Sequence, residues 1–171
     1  MSYNSRSDKR QTRGPHEGII TAIAIGVVFI LLGLVFVLAL PSNLWDDIVN
    51  FFSNLATRSV GGTDLILPAP INPNSTGNVV VYTAVFQFSL GIAFLQVLIL
   101  ALRVGIGSPI RRIAETIGNL IFWFGAALLE HTYLNSSTTT SAWFTFWALL
   151  IVVVGVSIII RGAVLIIRRP R

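Results

Sequence analysis

Apolar residues in this chain come in four long runs, the first uninterrupted and the third the most polar, not in the alternating or helical-face patterns of a water-soluble domain. The runs extend from Gly18 to Leu40, from about Val79 to Leu102, from about Ile113 to Leu134, and from Ala142 to Ile167. At about 1.5 Å per helical residue, each run spans a hydrocarbon core of about 30 Å. Inside that core no water is available to the backbone, so a spanning segment must satisfy its amides and carbonyls as a helix. The fold class that follows is an all-α integral membrane protein, a four-helix transmembrane bundle. A cleaved signal peptide is the competing reading of the first run, which is longer than the roughly 7 to 15 apolar residues of such a segment.

Between the runs the pattern changes. Residues 1–17 are polar and carry Arg6, Lys9, Arg10 and Arg13, which reads as a basic tail. In the 41–78 segment, Leu44, Ile48, Phe51, Phe52 and Leu55 recur at helical spacing among polar neighbours, predicting a short amphipathic helix. Asn43 is its N-cap candidate, Asp46 and Asp47 lie in its first turn, and Gly61-Gly62 is its expected stop. The stretch from Leu65 to Asn78 contains Pro68, Pro70 and Pro73 and is expected to be extended and irregular. Residues 103–112 form a tight basic loop and 135–141 a short polar one, with 168–171 a basic end.

Composition agrees with lipid as the main solvent: 54% of the 171 residues are hydrophobic and only 11% are charged, against about a quarter charged in soluble domains. The chain has no cysteine, which removes disulfides, thiolate metal sites and thiol redox chemistry. The excess of 12 Lys and Arg over 7 Asp and Glu acquires meaning from its placement and does not point to nucleic acid. With both termini in the cytoplasm, Arg6, Lys9, Arg10, Arg13, Arg103, Arg111, Arg112, Arg161, Arg168, Arg169 and Arg171 fall at or near that face, and Arg58 alone falls outside. That distribution follows the positive-inside rule, makes the expected topology N-in/C-in, and makes the amphipathic helix extracytoplasmic. Two N-x-[ST] triplets, at Asn74 and Asn135, also fall in the expected outer loops as N-glycosylation candidates.

Small residues recur seven apart in every run: Gly26 and Gly33; Ala84 and Gly91; Gly118 and Gly125; Ser141, Ala148, Gly155 and Gly162. Seven residues is nearly two helical turns, so each set predicts a stripe where a neighbouring backbone approaches closely. Thr83, Gln87 and Gln96 are candidates for hydrogen bonds between helices. Tyr82, Tyr133, Trp143, Phe144, Phe146 and Trp147 are expected to form an aromatic belt at the outer interface.

Two groups of ionisable residues lie within or at the edge of the third apolar run, where charge is costly and often functional. Arg111 and Arg112 stand four and three residues before Glu115, a spacing that permits ion pairs on one helix face, and Asn119 continues that face. This cluster is either a fixed helix end or a proton-coupled or headgroup-binding site. Near the outer end of the same run, Glu130 and His131 form a candidate polar pair; adjacent helical residues point about 100° apart, so they do not make a two-ligand metal face. No catalytic motif and no cofactor fingerprint accompanies them.

The expected function is therefore non-catalytic: an accessory or scaffold subunit of a membrane complex, partnered by the bilayer, by other membrane proteins or further copies of itself, and by anionic headgroups at the cytoplasmic face. A small oligomeric transporter or channel using Glu115 or Glu130 is the alternative, and a quinone- or haem-associated subunit the second. The expected location is the plasma (cytoplasmic) membrane.

Overall fold

The computed structural model describes residues 15–40 and 42–167. Most of the expected basic tail, with Arg6, Lys9, Arg10 and Arg13, and the terminal Arg168, Arg169 and Arg171, lies outside the described residues. The described chain runs α1 (Pro15–Leu38), α2 (Leu44–Ser53), β1 (Leu55–Ser59), β2 (Ile66–Pro70), α3 (Thr76–Gly105), α4 (Ile110–Tyr133) and α5 (Thr140–Ile167). Helices α1, α3, α4 and α5 are long and apolar enough to cross a membrane, which makes this an integral multi-pass membrane protein.

Helix α3 packs along α4 and α4 along α5, each as the antiparallel neighbour that a short connection enforces, while α1 leans on α3 and α2 lies across the start of α3. The principal packing order is thus α1–α3–α4–α5. The two outer members are the least buried of the four: 11% of the most apolar stretch of α1 is buried in the protein and 6% of that of α5.

Half of the seven-residue stripes are used. A Cβ at Gly125 would lie 2.7 Å from Val153, one at Gly118 would lie 3.2 Å from the Ser157 carbonyl oxygen, and one at Gly91 would lie 2.8 Å from Leu31. These glycines on α3 and α4 are notches that receive knobs from α1 and α5. By contrast, Gly26, Gly33, Gly155 and Gly162 face open space, and Ser141 and Ala148 are exposed. One notch per contact suffices for close approach, because the facing helix then contributes bulk and not a second gap.

The segment after α2 differs from its expected form. The helix stops at Ser53, eight residues before Gly61, and Leu55–Ser59 pairs antiparallel with Ile66–Pro70 around a turn in which Gly62 has φ +75°. Prolines do not block this ribbon, because alternate residues face the partner strand. The amide of Val60 donates to the Leu65 carbonyl and that of Ile71 to the Asn54 carbonyl, so the bonding register falls on odd-numbered residues of β2. Pro68 and Pro70, opposite Thr57 and Leu55, occupy the other register, where an N–H would point away from β1.

Helix α2 itself matches its predicted start. Asn43 flanks it, although the side chain donates to the Asp46 carboxylate and does not cap the backbone. Leu44 and Phe51 are buried, while Trp45 and Phe52 face outward. Gly77 admits the Asp47 carboxylate against the first turn of α3, 2.7 Å from where a Cβ would stand, an end where the helix dipole favours an anion.

Charge separates by end. Arg103, Arg111, Arg112, Glu115 and Arg161 gather at one end of the bundle; Arg58, Asp46, Asp47 and Asp64 lie with the hairpin at the other.

Candidate functional site

A difference in helix length creates the site. Arg103 of α3 donates to Thr116 of α4, and Ser89 of α3 donates to Glu130 of α4, so the two helices keep one antiparallel register throughout. Past that second contact α4 has three residues left and α3 has thirteen. The ten-residue excess carries α3 about 15 Å beyond α4. Around this overshoot α1 stands on one side, α5 on the other and α2 across the end. What remains between α1 and α5 is a groove of about 450 Å³, within the range of small-molecule sites.

The groove is walled by Leu32, Val35 and Phe36 of α1, by Val81, Tyr82, Val85 and Phe88 of α3, by Phe146, Trp147 and Leu150 of α5, and roofed by Leu44, Ile48, Phe51 and Phe52 of α2. Leu32, Phe36, Phe52, Val85 and Trp147 are exposed, so the groove opens sideways between the helices. Its roof is held by aromatic contacts: Phe51 lies 6.0 Å from Tyr82 and 5.9 Å from Trp143, ring centre to ring centre. Trp143 also ties α5 to the hairpin, its indole N–H donating to the Pro68 carbonyl at 3.1 Å. The expected interfacial belt is thus mainly a packed core: Tyr82, Trp143, Phe144 and Phe146 are all buried, and Trp147 is the exposed member.

Two residues of the groove lining each carry a polar atom that is sealed from the groove surface and has no partner among the described residues. Glu130 is 5% exposed, and its Oε1 accepts from Ser89 Oγ at 3.0 Å, but Oε2 is buried without a hydrogen bond. Tyr82 is 3% exposed, and its hydroxyl is likewise unpaired. Buried polar atoms are nearly always hydrogen-bonded, and an unmade bond costs about 1–3 kcal/mol. Ser89, itself 1% exposed, stands 41 residues from Glu130 in the chain.

The expected Glu130–His131 pair does not form. The 100° step of the helix turns Glu130 into the groove and His131 outward, where its ring lies 5.3 Å from Phe86. No group of three His, Cys, Asp or Glu side chains that would hold a metal ion occurs among the described residues. Thr83 returns its hydroxyl to the Val79 carbonyl of its own helix and does not bridge helices; Gln87 lines a smaller cleft between the end of α1 and α3, and Gln96 is half-buried.

At the opposite end the cluster predicted around Glu115 forms and gains a member. The carboxylate lies 3.4 Å from Arg111 Nε, 3.2 Å from an Arg112 guanidinium nitrogen and 3.1 Å from one of Arg161. Arg161 comes from α5 and makes the cluster a clasp between helices, whereas Asn119 is exposed and outside it. With Arg111 and Arg161 74% and 46% exposed, solvent and headgroups screen these pairs. The Glu115–Arg161 coupling in a double-mutant cycle of Glu115→Gln and Arg161→Gln is expected at about 0.5–1 kcal/mol. Additive losses would mean that the clasp does not join α4 to α5.

The two sequon asparagines are placed differently. Asn74 is exposed. The Asn135 side chain bridges the α4–α5 turn, donating to the Thr132 carbonyl at 3.2 Å and accepting from the Ser137 amide at 2.9 Å.

Comparison of the chain with protein families, curated proteins and solved structures finds no match. The class rests on the fold alone: a four-helix multi-pass membrane protein with a side-opening groove.

Proposed function

We propose that this chain is a non-catalytic accessory component of its membrane that works by binding an apolar molecule taken laterally from the bilayer into the groove between α1 and α5. The observation that carries the reading is the groove itself: about 450 Å³ of apolar-walled space between membrane-crossing helices, roofed by α2 and open through its side wall. In hydrocarbon such a space fills with chain or ligand, since its walls are predominantly apolar. A conducting path along α4 is disfavoured. Glu115 and Glu130 stand about 22 Å apart along the helix, and Gly118, Ala126 and Ala127 between them are buried in helix contacts.

Leu32 faces the groove and Ile30, 68% exposed, faces lipid elsewhere on α1. Native mass spectrometry of the gently solubilised chain is expected to show about one retained apolar molecule. Leu32→Trp should abolish it and Ile30→Trp should leave it. Retention by Leu32→Trp at wild-type level would refute the site.

The proposed orientation is N-in/C-in, with α2 and the hairpin outside, in the plasma (cytoplasmic) membrane. It is supported by the gathering of Arg103, Arg111, Arg112 and Arg161 at one end of the bundle and Asp46, Asp47 and Asp64 at the other. Because the chain has no cysteine, single-cysteine labelling needs no prior substitution. Asp64→Cys in the hairpin turn should react with a membrane-impermeant maleimide on intact cells, and Gly105→Cys only after permeabilisation. The reverse pattern would invert the topology.

A further inference from the structure

We infer that the molecule held in the groove is a neutral lipid whose polar part is a hydroxyl or carbonyl group, recognised by Glu130 and Tyr82. The inference rests on the groove reading above and specifies the ligand's chemistry. Three observations lead to it. First, two side chains of the groove lining, each more than nine-tenths buried, hold polar atoms with no partner among the described residues, Glu130 Oε2 and the Tyr82 hydroxyl, sealed beneath the groove surface so that a small turn of either side chain presents them to an occupant. A purely hydrocarbon occupant would leave both unmade, whereas an oxygen-bearing head completes one or both.

Second, the approach is lateral. Glu130 lies a helical turn inside Leu134, and α2 covers the end of the groove, so a head reaching Glu130 enters through the apolar side wall. A phosphate or quaternary ammonium resists that transfer strongly; a hydroxyl or carbonyl resists it far less. Third, nothing beside Glu130 would complement an anionic head. His131 is turned away, and the arginines of α3, α4 and α5 gather at the opposite end, around Glu115. A hydroxyl, which donates and accepts, suits Glu130 in either protonation state and the phenol of Tyr82 equally well.

The test uses the full chain in phosphatidylcholine vesicles and three photoactivatable sixteen-carbon probes with a mid-chain diazirine, ending in a hydroxyl, a methyl or a trimethylammonium group. Crosslinks are mapped by mass spectrometry. The alcohol is expected to label groove residues such as Phe88 and Leu150 about tenfold more than either comparator, the preference that one or two hydrogen bonds confer. Glu130→Leu should reduce alcohol labelling about tenfold, to the level of the methyl probe. Glu130→Gln, whose amide also donates and accepts, should retain most of it and controls for folding. Equal labelling by the alcohol and methyl probes would overturn the ligand class while leaving the groove reading intact. Preference for the trimethylammonium probe would overturn it in favour of a cationic head. Groove labelling no greater than that of Ile158 on the lipid-facing side of α5 would overturn both.

Discussion

Replacing Trp143 with Ala is expected to lower stability by about 3 kcal/mol, the scale of losing a fully packed large aromatic side chain, and to release the hairpin from the helices. Trp143 is 6% exposed and joins three elements. Its ring meets Phe51 of α2 and Tyr82 of α3 at 5.9 and 6.2 Å, and its indole N–H reaches the Pro68 carbonyl of β2. A two-stranded ribbon is marginal alone, so the loss should appear as faster deuterium exchange at Val60 and Ile71, whose amides close the ribbon. Trp143→Phe separates the contributions. It keeps ring packing, gives up the hydrogen bond, and should cost about 1 kcal/mol. Equal losses for the two variants would mean that the aromatic cluster contributes nothing beyond that bond.

Gly125→Leu is expected to cost about 2–3 kcal/mol, measured by SDS-induced unfolding, through forced separation of α4 and α5. The new Cβ would stand 2.7 and 3.2 Å from the two methyl groups of Val153. Valine has one strongly preferred rotamer in a helix and does not swing aside. Val153→Ala in the same chain should recover at least half of the loss. Gly155→Leu, at a site with nothing within 4 Å, should be close to neutral. A comparable penalty at Gly155 would show that the outward stripe of α5 is a packed surface after all.

These contrasts mark what a linear reading captures in this chain. Hydropathy located all four long helices to within a few residues, because crossing lipid imposes length and apolarity on each helix independently of its neighbours. The Arg111, Arg112 and Glu115 cluster was legible for a related reason: its members share one helix face. Arg161 was read only as a basic residue near the fourth run's end, because its contact with Glu115 depends on the register between α4 and α5. Small-residue spacing reported notches on every helix but not which notch receives a knob. The hairpin was missed because Leu55 continues the helical period of α2, while the tolerance of Pro68 and Pro70 depends on a register that appears only when β1 is in place.

The groove shows the same limit. Glu130 was visible as an ionisable residue in an apolar run, and its neighbour His131 was the natural partner to assign. Its actual partner, Ser89, lies 41 positions away. The overshoot of α3 that opens the space beside it is a difference between two helix lengths measured from that contact.

The most direct measurement is solution NMR of the isotopically labelled chain, gently extracted and exchanged into fully deuterated detergent. Tyr82 and Phe88 belong to the groove's inner wall on α3, so their ring protons report its contents. Nuclear Overhauser contacts from these rings to aliphatic protons of an unlabelled, co-purifying molecule, lost in Leu32→Trp and kept in Ile30→Trp, are the predicted result. Contacts from both rings to protein protons alone in the wild-type chain would contradict the account.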